Sequence, residues 1–253
     1  MDSILNIYIE PYWLNLVNHI DNDDYLLFFG TIILHGVSLF IFNLPYLIIE
    51  RIPYFNKYKI QKNKIKKYTT IIDIVNVLFY EHLMMDIPFM LVSVPTFKYF
   101  GYKSKAPLPT VSYLVGSLAM CMIIDDFLSY FIHRILHTPF VYKHVHKKHH
   151  TITSPNGLNS EYAHPIETSV FGMATFMGSI LFYRDIFSFW VLITLKLYET
   201  VEAHSGYDLP WLPTKLIPFW GGATFHDYHH KNSIANFSTT FTFWDKVFGT
   251  FKN

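Results

Sequence analysis

The chain alternates between long apolar runs and short charged clusters. Residues 26–49 contain no Asp, Glu, Lys or Arg and are long enough to cross a hydrocarbon core about 30 Å thick. Residues 110–132 form a second run, interrupted only near its end by two aspartates, and residues 168–197 form a third that is broken by one arginine and one aspartate. The break predicts a helical hairpin. Residues 71–97 are apolar but carry acids and prolines, so this run could cross the membrane, lie in its interface or form a broken hairpin.

Composition supports a membrane protein and excludes several other classes. Hydrophobic residues make up 51% of the chain and charged residues only 15%, whereas about a quarter of the residues in a soluble domain are charged. The net charge of +1 gives no reason to expect nucleic-acid binding. The single cysteine, Cys121, excludes a disulfide within the chain and a thiolate metal site. We therefore predict an all-α, multi-span helical membrane protein.

The basic segment 51–67 predicts an orientation. It carries seven Lys and Arg residues and no acid, and the positive-inside rule places such a segment on the cytoplasmic side. If residues 71–97 also cross, the run ending at residue 132 emerges in the cytoplasm, and the hairpin returns the chain to the same side. Three histidine clusters would then share one cytoplasmic face. Lys98, Lys103 and Lys105 would lie on the far side, which counts against this arrangement.

Histidine spacing is the strongest signal in the sequence. Of fourteen histidines, eleven lie between His133 and His230. Eight of these form one H-x-x-x-H and two H-x-x-H-H clusters, namely His133 and His137, then His146, His149 and His150, then His226, His229 and His230. Residues three and four apart share a helix face, so each cluster can direct two or three imidazoles at one point.

Eight imidazoles are more than one structural zinc, with its four ligands, requires. Imidazole binds iron, copper, nickel and zinc, so the ligand type leaves the metal open, but the number indicates two ions. Asp126 and Asp227 lie beside the clusters, where a carboxylate could accept a hydrogen bond from the second nitrogen of a ligand ring. Tyr130 lies four residues after Asp126 on the same predicted helix. From spacing alone, His164 and His204 are equally well interpreted as ligands or as structural residues.

The clusters and their neighbours resemble the fatty acid hydroxylase superfamily. The resemblance rests on His133-Arg-Ile-Leu-His137, His146-Lys-Lys-His149-His150 and Glu161-Tyr-Ala-His164-Pro165. Within that superfamily, two later runs closely resemble the sterol 4-methyl oxidases, or methylsterol monooxygenases: His204-Ser-Gly-Tyr-Asp208 and Phe225-His226-Asp-Tyr-His229-His230. The resemblance covers residues 125–250 and implies a catalytic domain over residues 110–253 behind a membrane-anchoring region over residues 1–109.

The resemblance implies an endoplasmic reticulum enzyme with two iron ions in a helical cap on the cytoplasmic face. It implies dioxygen-dependent oxidation of a sterol 4-methyl group, with electrons passing from NAD(P)H through cytochrome b5 and its reductase, and contact with other enzymes of sterol demethylation. The implied ligands are the eight clustered histidines, then His204, then His164, with Asp126, Tyr130 and Asp227 in supporting roles. Two alternatives stay open: another lipid hydroxylase or desaturase of the superfamily, and a membrane metal transporter or scaffold.

Overall fold

Helices are the regular secondary structure of the described residues. The computed structural model describes residues 4–64, 70–105 and 107–252, so the end of the basic segment, with Lys66 and Lys67, lies outside the described residues. Within them there are isolated β-bridges but no strand. The α-helices of this described part are α1 (Ile4–Tyr8), α2 (Glu10–Ile20), α3 (Asp23–Tyr25), α4 (Thr31–Ile49), α5 (Ile71–Glu81), α6 (Ile87–Tyr99), α7 (Val111–Leu136), α8 (Pro139–Val141), α9 (Pro165–Phe182), α10 (Ile186–His204), α11 (Gly222–Asn232) and α12 (Phe243–Val247). π-Helical turns occupy Leu26–Gly30, His82–Asp86 and Tyr142–His146, and 3₁₀ turns occupy Pro53–Tyr58, His149–Thr151, Gly157–Glu161 and Pro213–Leu216.

Among the described residues, three helical segments are long and apolar enough to cross a membrane, which confirms the prediction of a multi-span all-α protein. They are Asp23–Ile49, Val111–Leu136 and Pro165–Phe182. The third predicted run is a hairpin, as expected, because α9 and α10 are separated by a short break whose last residue, Asp185, accepts a hydrogen bond from the Ser188 backbone N–H at 2.7 Å. A carboxylate at this position satisfies one of the unpaired amides that begin a helix.

The helices alternate in direction, so the histidine clusters and the basic segment meet at one end of the bundle. There, residues 58–60 hydrogen-bond to residues 206–208, just after α10. At the opposite end, Lys98 and Lys105 form ion pairs with aspartates that precede or begin the first span. These pairs offset the positive charge that counted against the predicted orientation.

Helices α7 and α9 pack closely against each other in the membrane-embedded part. Gly178 of α9 lies against Cys121 of α7 so closely that a Cβ on Gly178 would lie 3.2 Å from both the Cα and the backbone oxygen of Cys121. Cys121 itself is fully buried. The two helix backbones therefore approach because glycine leaves room, and this approach sets the position of the histidines at the end of α7.

We expect Gly178→Leu to destabilise the protein by about 1–3 kcal/mol, because overpacking forces the two helices apart. Gly116→Leu, on α7 itself, is the matched control, since a Cβ there meets no atom within 4 Å. Thermal unfolding in detergent, followed by circular dichroism, measures both variants. Equal melting temperatures for the two variants would contradict the close-packing account.

Candidate metal centre

Nine histidines converge at the end of the bundle in two groups. His133 and His137 end α7, the second cluster lies in the turns that follow, His204 ends α10, and the third cluster lies on α11. Within each group the ring nitrogens that could serve as ligands lie within 4.8 Å of one another. The first group contains His133, His137, His146, His150 and His229, and the second contains His149, His204, His226 and His230.

Each H-x-x-H-H cluster contributes to both groups. The outer pair of the second cluster, His146 and His150, joins the first group, while His149 between them joins the second. In the third cluster the outer pair, His226 and His230, joins the second group, while the middle histidine crosses to the first. In each cluster the middle histidine directly precedes the last one, and successive residues of a helix are rotated by about 100° from each other. The two groups are therefore interlocked and form one centre.

The spacing of the nitrogens matches a shared ion in each group. Neighbouring Nε2 atoms lie 2.9–3.1 Å apart in the first group and 2.9–3.3 Å apart in the second. With a metal–imidazole bond of about 2.1 Å, neighbouring ligands are about 3.0 Å apart around an octahedral ion and about 3.4 Å apart around a tetrahedral one. The observed distances are close to these values and fit nitrogens that share one ion.

Hydrogen bonds fix which nitrogen faces the centre. The Nδ1 atoms of His133, His204 and His229 lie 2.7–2.8 Å from the backbone oxygens of Phe237, Thr200 and Ala235. A carbonyl oxygen only accepts, so Nδ1 carries the proton and the lone pair lies on Nε2. Lone pairs at about 3 Å repel one another unless a cation lies between them, so the donor set fits a metal ion in each group.

Burial keeps the ligand rings neutral. It lowers the pKa of His149 and of His137 to about 4, and in His137 the neighbouring imidazole of His149 lowers it further. The pKa of His229 falls to about 3, again mainly through burial. At neutral pH these rings are therefore unprotonated, which is the form that binds a metal.

The C-terminal segment 235–250 holds two of the ligand rings. It supplies the carbonyl oxygens that His133 and His229 contact. Asp245 fixes the segment by accepting hydrogen bonds from the Phe237 and Ser238 backbone N–H groups, both at 2.8 Å. Because Asp245 is fully buried, its carboxylate is an internal anchor of the centre that the sequence alone did not identify.

Asp126 and Tyr130 act on the same segment and contact no ligand ring. Asp126 accepts hydrogen bonds from the backbone N–H groups of residues 239–241, at 2.7–3.1 Å. The hydroxyl of Tyr130 lies 3.0 Å from Thr250 Oγ1, and its ring stacks on Phe248. Both residues therefore clamp the C-terminal segment to α7. Their predicted catalytic roles stay predictions.

Asp227 ties the basic segment to the centre. Its two carboxylate oxygens accept hydrogen bonds from Gln61 Nε2 at 2.8 and 2.9 Å. The carboxylate that does face a ligand ring is one the sequence analysis missed: Glu167 Oε2 lies 2.9 Å from His146 Nδ1. An acid within an apolar span is costly and often functional, and that signal could have identified Glu167.

His164, the tenth predicted ligand, belongs to neither group. Its Nδ1 accepts a hydrogen bond from the Ile166 backbone N–H at 3.2 Å and caps α9, whose first residue is Pro165. The ring therefore replaces the missing partner of an amide at the helix start. His204, by contrast, lies 2.9 Å from His226 through its Nε2 atom.

An apolar cavity of about 290 Å³ lies beside the two groups. Five ligand histidines form part of its wall, together with side chains of α4, α6, α7, α9 and α10. Phe89, Phe171, Phe176 and Phe189 supply much of the remaining wall. The cavity therefore connects the candidate metal centre to the helices that cross the membrane.

Comparison with known proteins identifies the family. The family model described as fatty acid hydroxylase matches residues 118–250, and the chain belongs to this family. A Dictyostelium discoideum protein provisionally named methylsterol monooxygenase is 44% identical over 99% of this chain and 92% of its own length. An Oryza sativa protein named very-long-chain aldehyde decarbonylase is 40% identical, and Arabidopsis thaliana methylsterol monooxygenase 2-2 is 39% identical, each over 97% of this chain and 92% of its own length. No solved structure matches the chain.

We expect Asp245→Asn to weaken metal binding about 10- to 100-fold, the range for partners that orient a ligand. The amide loses one of the two acceptor oxygens that hold residues 237 and 238, so the carbonyl facing His133 shifts. Metal retained after dialysis against graded chelator measures the effect. Asp24→Asn, an exposed acid paired with Lys98, is the control, and equal retention by the two variants would contradict the anchoring role.

We expect His204→Asn to lower the bound metal, whereas His164→Asn retains it because asparagine also caps helices well. Elemental analysis of purified protein gives the metal content of each variant. Loss of metal from His164→Asn with a normal melting temperature would instead make His164 a ligand.

Proposed function

We propose that the protein is a methylsterol monooxygenase, a membrane-bound di-iron enzyme that oxidises the 4-methyl group of a sterol precursor with dioxygen and external electrons. The observation that carries the proposal is the convergence of nine neutral imidazoles in two groups beside an apolar cavity. The substrate class is supported by relatives of this name that match nearly the whole chain at 39–45% identity.

One iron would be held by the five-histidine group and the other by the four-histidine group. Imidazole donors suit iron, and the first group offers five ligands, one more than a tetrahedral zinc site uses. When bound, the two ions supply the dioxygen chemistry that attacks an unactivated C–H bond.

The protein itself contributes geometry and a dry site. Carbonyl groups hold the ligand rings, and Glu167 places a carboxylate against His146. The phenylalanine-lined wall excludes water and accepts the flat apolar body of a sterol. Because spans form the wall, the substrate can reach the centre directly from the lipid.

Electrons would come from cytochrome b5 and its reductase on the cytoplasmic side of the endoplasmic reticulum membrane. Three lysines near the centre, Lys143, Lys147 and Lys231, are exposed and would attract an acidic electron donor. The basic segment lies at the same end of the bundle, which supports a cytoplasmic orientation. Other enzymes of sterol demethylation would consume the product.

A second candidate is the removal of an aldehyde carbon from a very long chain. It is favoured by the rice relatives of that name at 40% identity. The same metal groups and cavity would serve, so the substrate alone separates the two functions. A metal transporter is less well supported, because the nine ligands form two closed groups rather than a series along a path.

We expect iron-loaded protein in membranes, supplied with cytochrome b5, its reductase and NADH, to convert a 4,4-dimethylsterol into 4-hydroxymethyl and 4-carboxy products. Mass spectrometry identifies the products, and a very-long-chain aldehyde is tested in parallel. His149→Ala and His229→Ala, one from each metal group, are expected to abolish turnover.

Lys143→Gln is the control for the electron supply. We expect this variant to lose a modest part of the turnover rate, and we expect high salt to cause the same loss in the unmodified protein. An alkane from the aldehyde with no sterol product would replace the sterol proposal by the second candidate. Bound metal with no product from either lipid would favour the transporter.

A further inference from the structure

A buried charged cluster lies in the wall of the apolar cavity, apart from the metal ligands. Three helices form it: Asp125 from α7, Thr175 from α9, and Lys196 with Glu199 from α10. All four residues line the cavity. Asp125 and Glu199 retain only 2% and 4% of their side-chain exposure, and Lys196 retains 17%. Charges this deeply buried are costly unless they are paired or have a function.

Every hydrogen-bond donor of the cluster already faces an acceptor. Lys196 Nζ lies 2.7 Å from Asp125 Oδ2, 2.6 Å from Glu199 Oε2 and 3.2 Å from Thr240 Oγ1. An ammonium group has three N–H donors. Lys196 makes hydrogen bonds to Glu199 and Thr240, and its charge is also paired with Asp125. The Thr175 hydroxyl donates to Asp125 Oδ1 at 2.6 Å.

Acceptors, in contrast, are in excess. Two carboxylates offer about eight lone-pair positions, and the cluster's own hydrogen bonds fill only two of them, one on each carboxylate. Glu199 Oε1 accepts no hydrogen bond from any residue in the described ranges. With both carboxylates ionised the cluster has one more negative charge than positive charge. Such a site binds a neutral hydrogen-bond donor and disfavours a carboxylate.

The cluster lies at one level of the bundle, a fixed distance from the metal centre. Asp125 precedes His133 by eight residues on α7, and Lys196 precedes His204 by eight residues on α10. At 1.5 Å per residue these two residues lie about 12 Å from their ligand histidines along the helix axis, whereas Glu199, five residues before His204, lies only about 7.5 Å away. A hydroxyl group bound by Glu199 and a carbon one or two bonds from it can therefore both lie between Glu199 and the metal centre.

We propose that Glu199, held by Lys196 and Asp125, accepts a hydrogen bond from a hydroxyl group of the lipid substrate and so positions the neighbouring carbon at the metal centre. The inference rests on the proposed function and narrows it. The substrate class becomes a neutral lipid with a free hydroxyl close to the oxidised carbon, rather than a fatty acid or a pure hydrocarbon.

Equilibrium binding tests the proposal without turnover. A 4,4-dimethyl-3-hydroxysterol and its 3-methyl ether compete with a fluorescent sterol for iron-loaded protein, kept anaerobic and without an electron donor. We expect the free hydroxyl to bind tenfold or more tightly than the ether, as for a hydrogen bond to a charged group. Glu199→Gln is expected to reduce that ratio at least fivefold, because the amide can also donate to the ether oxygen.

Asp21→Asn, an exposed acid-to-amide change at the far end of the bundle, should keep the ratio. Equal binding of alcohol and ether by the unmodified protein overturns the inference even if Glu199→Gln fails to fold. An unchanged ratio in a folded, iron-containing Glu199→Gln also overturns it, while a 4-carboxysterol product would leave the proposed function standing. If neither sterol binds but a ceramide binds in preference to its methyl ether, and Glu199→Gln removes that preference, the inference stands and the sterol assignment falls.

Discussion

Neutral imidazoles that face one another across about 3 Å are the constraint on which the rest of this structure depends. Such rings keep that arrangement best when each is held by its outer nitrogen and compensated by a cation on its inner one. The fold meets the first requirement for six of the nine rings, with four backbone carbonyls, the Glu167 carboxylate and the Ser233 hydroxyl. The part of the chain after residue 205 supplies several of these partners, from Ser233, Ala235 and Phe237.

The constraint also explains the division of the molecule into an apolar bundle and a polar end. Metal ligands need fixed hydrogen-bond partners, and irregular backbone can supply these only where it is buried in protein and shielded from lipid. Helices α7 and α10 solve this problem by carrying their ligands at their C-terminal ends, just beyond the apolar stretch. The cavity then reaches from the lipid-facing helices to the rings, so an apolar substrate need not pass through water.

The sequence predicted the helical class, the first two spans, the hairpin and the family. It also predicted that the eight clustered histidines converge, because i, i+3 and i, i+4 spacing on a helix allows a shared face, and the family resemblance added His204. It could not divide them into groups, because the spacing does not say which histidines of different clusters meet. It could not find the carbonyls of Phe237 and Ala235 either, since any residue can present a backbone oxygen.

The partners of the buried acids could be identified only from the packed structure. Glu167 is visible as an acid in an apolar helix, but only the packing of α9 brings it to His146. Asp126, which was expected to support a ligand ring, accepts hydrogen bonds from the backbone amides of residues 239–241. A carboxylate near a histidine cluster thus indicates a residue that matters for the structure. Which group it contacts depends on how distant segments of the chain pack.

The position of the C-terminal segment in the chain determines when the metal centre can be completed during synthesis. His133 on α7 is synthesised 104 residues before Phe237, whose carbonyl holds it, and the last clamp, between Tyr130 and Thr250, joins positions 120 residues apart. A nascent chain whose spans have just been made would therefore still lack the carbonyl that holds His133. Each metal group also contains at least one histidine of α11, so neither group is complete until the chain beyond the three spans has been synthesised.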